Sequence, residues 1–398
     1  MPLHELPSLA SNAWLIEPRL QALLQVLNAE GETRIVGGAV RNALLGVPVA
    51  DIDLATALLP DNVLRLAKAA GFGVHPTGLD HGTVTVSHAG AAFEVTTLRK
   101  DVATDGRHAV VSFTDDWAED AARRDFTFNA MYCDAEGKIY DYTNGYADIL
   151  KRNVRFVGAP SQRIREDYLR ILRFFRFHAH YGKGKPDEAG FKTCVRLKSG
   201  LKSLSVERVR QELLKLLVGM HAIKTLRLMA ESGVLKIILP HTEEWRVLCR
   251  LPADAMLRLY VLSKEPLKLK DRLRLSNVDA ARLKVLSSAP DLSPKLNAAE
   301  RRRLLYHVGV QNWRDVVHLS FACSRAKRGS VEWADLLALP DVWMPSELPV
   351  KGADILAAGI APGPKVGQVL AALEDWWVAS DFAPTRNDLL ARVGRYKD

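Results

Sequence analysis

Along the first third of the chain, short apolar runs alternate with polar breaks, and strand-like and helix-like segments take turns. Residues 34–36 read as a strand, 39–45 as a short helix closed by Gly46, and 51–55 as the next strand. Residues 60–70 carry a helical period with Gly71 just past its end, the usual stop residue. Two β-branched runs follow at 81–86 and 92–98. The polar stretch 100–116, with Asp105-Gly106-Arg107-His108, reads as a mobile loop, and 138–142 closes the mixed part. From about residue 160 the strand signals fade and the apolar period lengthens to that of a helix. The clearest helices are 163–180, 205–218, 222–231, 298–308 and 365–377, with Gly and Pro clusters near 182–186, 346–352 and 361–364 as candidate joints. The pattern predicts an α+β fold: a small mixed sheet followed by an all-helical remainder.

Composition adds limits. At 398 residues, 48% apolar and 25% charged, the chain is long enough for two or three globular domains. The net charge of +9 favours an anionic partner, nucleic acid first. Cys133, Cys194, Cys249 and Cys323 are far apart and form no C-x-x-C pair. Neither a zinc ribbon nor a disulfide framework is indicated, and reduced thiols in the cytoplasm are expected. No secretory signal is evident at the N-terminus, and no apolar stretch is long enough to cross a bilayer.

Candidate chemistry centres on Asp51-Ile52-Asp53. On a strand, residues i and i+2 share a face about 6.7 Å apart, so two such carboxylates can converge on divalent cations. Glu94, on a later strand, is a candidate third carboxylate. Upstream, Gly37-Gly38 opens a helix and offers bare backbone N–H groups to a phosphate, with Arg41 one turn further on. No G-x-x-x-x-G-K-[ST] string accompanies it. By spacing alone, Arg123-Arg124-Asp125-Phe126-Thr127-Phe128-Asn129 reads as structural. Asp167 and Arg170, i and i+3 on the helix 163–180, face one side, and Arg173 and Arg176 extend that stripe. Seven Lys or Arg against two acids between 163 and 185 describe either a solvated basic face or an RNA-binding helix.

Three ordered segments carry a family resemblance. Gly37-Gly38-Ala39-Val40-Arg41, Leu44-Leu45-Gly46, Asp51-Ile52-Asp53 and Thr56 resemble the first motif of class II tRNA nucleotidyltransferases and bacterial poly(A) polymerases, of the polymerase-β-like superfamily. Residues 123–130 resemble the second motif, and 166–177 the nucleotide-template motif. The chain departs from the first motif at Asn42, where the family usually has Asp, and at Phe128, where an aliphatic residue is more usual. No His-Asp dipeptide signals an appended phosphohydrolase.

The resemblance implies a catalytic head (1–145), a helical neck with the nucleotide-selecting helix (146–220), and a helical body and tail that bind tRNA (221–398). It implies that Asp51 and Asp53 bind Mg²⁺, that Asp51, Asp53 and Glu94 are catalytic, and that Gly38 and Arg41 contact the triphosphate. Arg123 or Arg124 touches the nucleotide, and Asp167, Arg170, Arg173 and Arg176 form its pocket. The expected partners are tRNA, ATP and CTP, with no membrane and no obligate protein partner. The expected reaction is addition of C, C and A to a tRNA 3′ end. A poly(A) polymerase, a C-adding or A-adding relative, and a non-catalytic RNA-binding protein of the same fold are the alternatives.

The pocket also makes chemical sense. Cytosine and adenine both present a ring-nitrogen acceptor beside an amino donor, so one arginine and one aspartate serve both bases. Uracil and guanine present a carbonyl and a ring N–H there, opposing both groups.

Overall fold

A computed structural model of the chain describes residues 5–105, 108–344 and 346–396. The chain forms two compact units, Met1–His241 and Thr242–Asp398.

The first unit opens with α1 (Pro18–Asn28), which buries Leu20, Leu23, Leu24 and Leu27, an i, i+3, i+4, i+7 face. Then come β1 (Thr33–Val36), α2 (Gly38–Leu45), β2 (Asp53–Thr56), α3 (Pro60–Ala69), β3 (Gly73–Gly78), β4 (Thr83–His88) and β5 (Ala91–Thr97). A ribbon of β6 (Arg99–Asp105) and β7 (His108–Phe113) precedes α4 (Trp117–Ala122), β8 (Met131–Cys133), β9 (Ile139–Asp141) and α5 (Gly145–Leu150). The seven-stranded sheet runs β3-β4-β5-β2-β1-β8-β9. Its β2–β5 pair is parallel and its other pairs are antiparallel.

Three local expectations change. Residues 100–116 are not a loop throughout, because β6 and β7 pair antiparallel from Arg99 opposite Phe113 to Asp105 opposite His108. The β-branched residues along both segments account for this. Gly106 and Arg107 lie outside the described residues. The edge strand β3 escaped the pattern because it contains Pro76, a residue that strands tolerate at edges. The strand expected at 51–55 begins only at Asp53, so Asp51 stands in the approach to it.

The expected single helix 163–180 is two helices, α6 (Pro160–Glu166) and α7 (Leu169–Tyr181). Asp167 breaks the run with φ −155° and ψ 109°, and its Oδ1 accepts the Leu169 N–H at 3.0 Å, capping the second helix. Asp167 and Arg170 are therefore not neighbours on one continuous helix face. Three helices follow: α8 (Glu188–Leu197), α9 (Val206–Leu217) and α10 (Ala222–Glu231). Helix α7 packs through buried aromatics against the turn that precedes β8. Phe126 lies 4.7 Å from Phe156 and 5.3 Å from Phe177 between ring centroids, and Phe156 stacks on Phe174 at 5.6 Å. Each such buried ring contributes roughly 1.5–3 kcal/mol of apolar transfer.

The second unit is helical among its described residues. Trp313, fully buried in the helix Val310–Cys323, donates from Nε1 to the Leu336 carbonyl at 2.7 Å. The helices Pro364–Ala379 and Arg386–Val393 enclose Leu373, Trp377, Leu389 and Val393. The run Arg301-Arg302-Arg303 is tied into this unit. Arg301 bonds the Leu296 and Pro294 carbonyls, Arg302 pairs with Asp381, and Arg303 bonds the Ala379 carbonyl. No described helix is long and apolar enough to cross a membrane.

Candidate active site

Strand register brings the carboxylates together. Asp53, first residue of β2, stands directly opposite Glu94 on the parallel strand β5, and Glu94 in turn stands opposite Thr85 on β4. Asp51, Asp53, Thr85 and Glu94 line one open cleft of about 740 Å³, with Trp14 and Arg19 from the N-terminal segment. Lost hydration and then Glu94 raise the Asp53 carboxyl above its usual range; Arg124 pulls the other way, and Asp51 adds to the rise. That mutual repulsion is what a divalent cation relieves. Among the described residues, no group of three or more histidine, cysteine or acidic side chains is drawn together closely enough to hold a metal ion as it stands. A three-residue cage is not required for a magnesium-type ion, which is commonly bound by one or two carboxylates together with substrate phosphates and water. The donor set of Asp51 and Asp53 fits that mode.

On the β1 side of Asp53 the chain turns through Gly37, whose φ of +72° suits a residue without a side chain. A Cβ there would meet the Asn129 carbonyl at 3.5 Å and Arg124 Nη1 at 3.9 Å. Helix α2 begins at Gly38, so its first N–H groups have no partner within the helix, and Arg124 Nη1 lies beside the preceding Gly37.

Arg123 and Arg124 share a buried carboxylate that the sequence reading did not single out. Asp120, 1% exposed, accepts Arg123 Nη2 at 2.6 Å on Oδ1, and on Oδ2 Arg124 Nη2 at 2.9 Å and the Tyr132 hydroxyl at 2.7 Å. Burial alone would raise this carboxyl; Arg124, Arg123 and the Tyr132 bond outweigh it and hold it at about 2. Asp120 also faces the Arg99 N–H at the root of the ribbon, at 3.4 Å.

Arg41 is 8% exposed and lies beneath the glycine turn. It donates to Asn129 Oδ1 at 2.5 Å, to Asn42 Oδ1 at 2.8 Å and to the Tyr181 hydroxyl at 3.3 Å, and its guanidinium lies 4.7 Å from the Tyr181 ring centre. The basic stripe of α7 is likewise engaged. Arg173 Nε donates to Asp125 Oδ2 at 2.6 Å, and Arg176 pairs with Glu212 of α9 at 2.6 Å. Burial works against charge on Asp125, and Arg173 outweighs it, holding that carboxyl below its usual range. Asp167 and Arg170 do not bond each other in this arrangement. Asp167 Oδ2 accepts Arg208 Nη2 at 2.7 Å, whereas Arg170 Nη1 bonds Glu166 and the Arg163 carbonyl. Glu212 and Arg208 were not picked out from sequence. Their only signal was an acid and a base four residues apart on one predicted helix.

Comparison with known proteins supplies the family. Residues 33–155 match the model of the Poly A polymerase head domain, and 185–246 match the probable RNA and SrmB-binding site of polymerase A. The mitochondrial CCA tRNA nucleotidyltransferase 1 of Mus musculus is 35% identical over 393 residues, 94% of this chain and 89% of its own length. The chain belongs to the class II CCA-adding enzyme and poly(A) polymerase family. The CCA-adding enzyme of Latilactobacillus sakei, another member, is 30% identical, covering 92% of this chain and 95% of its own. The crystal structure of the Bacillus stearothermophilus CCA-adding enzyme in complex with CTP superposes with a TM-score of 0.80 at 28% identity, covering 96% of this chain and 98% of that one. The α+β architecture of this CCA-adding family, a mixed-sheet head followed by a largely helical remainder, is the one built here.

Proposed function

We propose that this chain is a CCA-adding tRNA nucleotidyltransferase that transfers C, C and A from CTP and ATP to a tRNA 3′ end and releases pyrophosphate at each step. The observation that carries the chemistry is the register pairing of Asp53 with Glu94 beside the Gly37–Gly38 turn. The three-step outcome rests on likeness to CCA-adding enzymes over nearly the whole chain, including one solved in complex with CTP.

Asp51 and Asp53 would hold Mg²⁺, and Glu94 completes the acidic face. When bound, the metal makes the RNA hydroxyl more acidic and offsets charge on the phosphates. The chain's own groups do the rest. Free N–H groups at Gly38 receive the triphosphate. Arg124 is the better-placed of the adjacent arginines to meet it, because its Nη1 lies by Gly37 and its charge is felt at Asp53. Arg41 supports the glycine turn from below. Asp167 and Arg170 read the base edge, Arg173 and Arg176 brace that pocket through Asp125 and Glu212, and the helical body and tail hold the tRNA. The four cysteines are free thiols, which suits a reducing compartment, the cytoplasm or a mitochondrial matrix alike.

The test is elongation of a tRNA that ends before CCA, with CTP and ATP present and the products sequenced. Three additions in the order C, C, A followed by a stop are expected. Continued adenylate addition to unrelated RNA would make the chain a poly(A) polymerase instead.

A further inference from the structure

Two substrates must meet at Asp53, and the sheet order gives each a side. Strand β2 lies between β1 and β5. The glycine turn and Arg124 occupy the β1 side. The cleft of about 740 Å³ opens beside Glu94 and Thr85, on β5 and β4, and Trp14 and Arg19 stand on its rim. A cleft of that size accommodates a nucleotide.

Trp14 has no evident structural reason to be there. Its ring stacks on no other aromatic among the described residues, and its indole N–H is buried without an acceptor among them. Its neighbours fix the segment instead. Leu15 is fully buried, the Leu15 carbonyl accepts Gln21 Nε2 at 2.8 Å, and Asn12 Nδ2 donates to the Leu9 carbonyl at 3.1 Å. The result is a large half-buried aromatic on a pinned loop beside the catalytic carboxylates. Arg19 is held by Glu17 at 2.5 Å and by the Ala89 carbonyl at 3.2 Å, and its side chain remains 41% exposed.

We propose that Trp14 is the stacking platform for the terminal nucleobase of the RNA that is being extended, with Arg19 beside it for the adjoining phosphate. This rests on the nucleotidyltransferase reading above. The chemistry suits the task. The terminal base of the acceptor is the tRNA's own last base at the first addition and cytosine at the next two, so the site that seats it must accept more than one hydrogen-bonding edge. Stacking is tolerant of sequence because every base has a π-face. Selection is left to Asp167 and Arg170, which handle the incoming nucleotide.

The experiment is a thermodynamic cycle with acceptor-stem RNAs whose last nucleotide carries either cytosine or no base, both retaining the 3′-hydroxyl. RNA binding and single-turnover CMP addition are measured for the wild type, Trp14→Ala and Trp14→Phe. Removing the base should weaken the wild type about tenfold and Trp14→Ala by less than about twofold. Trp14→Phe should recover most of the loss. CTP binding without RNA should be the same in all three, which also reports that the variants are folded. Equal sensitivity to base removal in wild type and Trp14→Ala would overturn the proposal, as would an equal loss of CTP binding. Should Trp14→Ala fail to fold, Trp14→Phe and Trp14→Leu carry the same cycle, and equal base sensitivity in those two overturns it. Failure of the wild type to add CMP to either RNA would instead remove the functional reading itself.

Discussion

Arg208 Nη2 donates to Asp167 Oδ2 at 2.7 Å, while Asp167 Oδ1 caps the N-terminus of α7 through Leu169. The carboxylate plane is thus fixed from both ends, and each oxygen retains a lone pair for a base amino group. Replacing Arg208 by Ala leaves the carboxylate held only by the Leu169 N–H and loosens its plane. Discrimination of CTP and ATP against UTP and GTP should fall about tenfold, measured as the ratio of kcat/KM values. Unchanged discrimination would separate Arg208 from nucleotide choice.

Asp120 holds both arginines of the second motif. Its carboxyl is depressed to about 2, so its contribution to stability is complete above the unfolded value near 3.8 and is lost as pH falls through about 2. The shift corresponds to about 2 kcal/mol. Asp120→Asn should lower stability by at least about that amount at pH 7 in urea unfolding, and the difference from wild type should shrink between pH 4 and pH 2. A difference independent of pH across that range would locate the effect elsewhere.

Asn42 occupies the position where the family motif usually carries an acid, and its Oδ1 accepts from both Nε and Nη2 of the buried Arg41, at 3.1 and 2.8 Å. Burial draws the Arg41 pKa downward. The arginine already assists both bonds with its charge, and a carboxylate there would add the opposite charge and make them a buried ion pair. Asn42→Asp should raise the urea midpoint, by about 1 kcal/mol of stability. A lowered midpoint would mean that desolvating the new charge outweighs the pairing.

Arg302 is paired with Asp381 and is not free to meet a phosphate. Arg302→Gln should leave the slope of log K against log salt for tRNA binding within about 0.5 of wild type, because no counterion release is lost. A slope lower by about one would make it a phosphate contact.

The fold class, a strand at Asp53 and the glycine turn were legible because each is local. Gly37 needs a positive φ, and Asp53 needs only a strand. The helices 222–231 and 298–308 were legible for the same reason, since their apolar period suffices. What escaped was tertiary. Nothing local to Asp120 says that it binds two arginines and a tyrosine three to twelve residues on. Nothing in Arg173 and Arg176 says that Asp125 and Glu212 will neutralise them. The break at Asp167 was hidden because strong helix formers lie on both sides, and it shows only where the side chain turns back to cap Leu169.

The most direct test of nucleotidyl transfer at the Asp53–Glu94 face is CMP incorporation by Asp53→Ala into a tRNA that ends before CCA. Incorporation should fall by about a thousandfold or more while tRNA binding stays within about twofold of wild type. Incorporation at the wild-type rate would contradict the assignment of these carboxylates to catalysis.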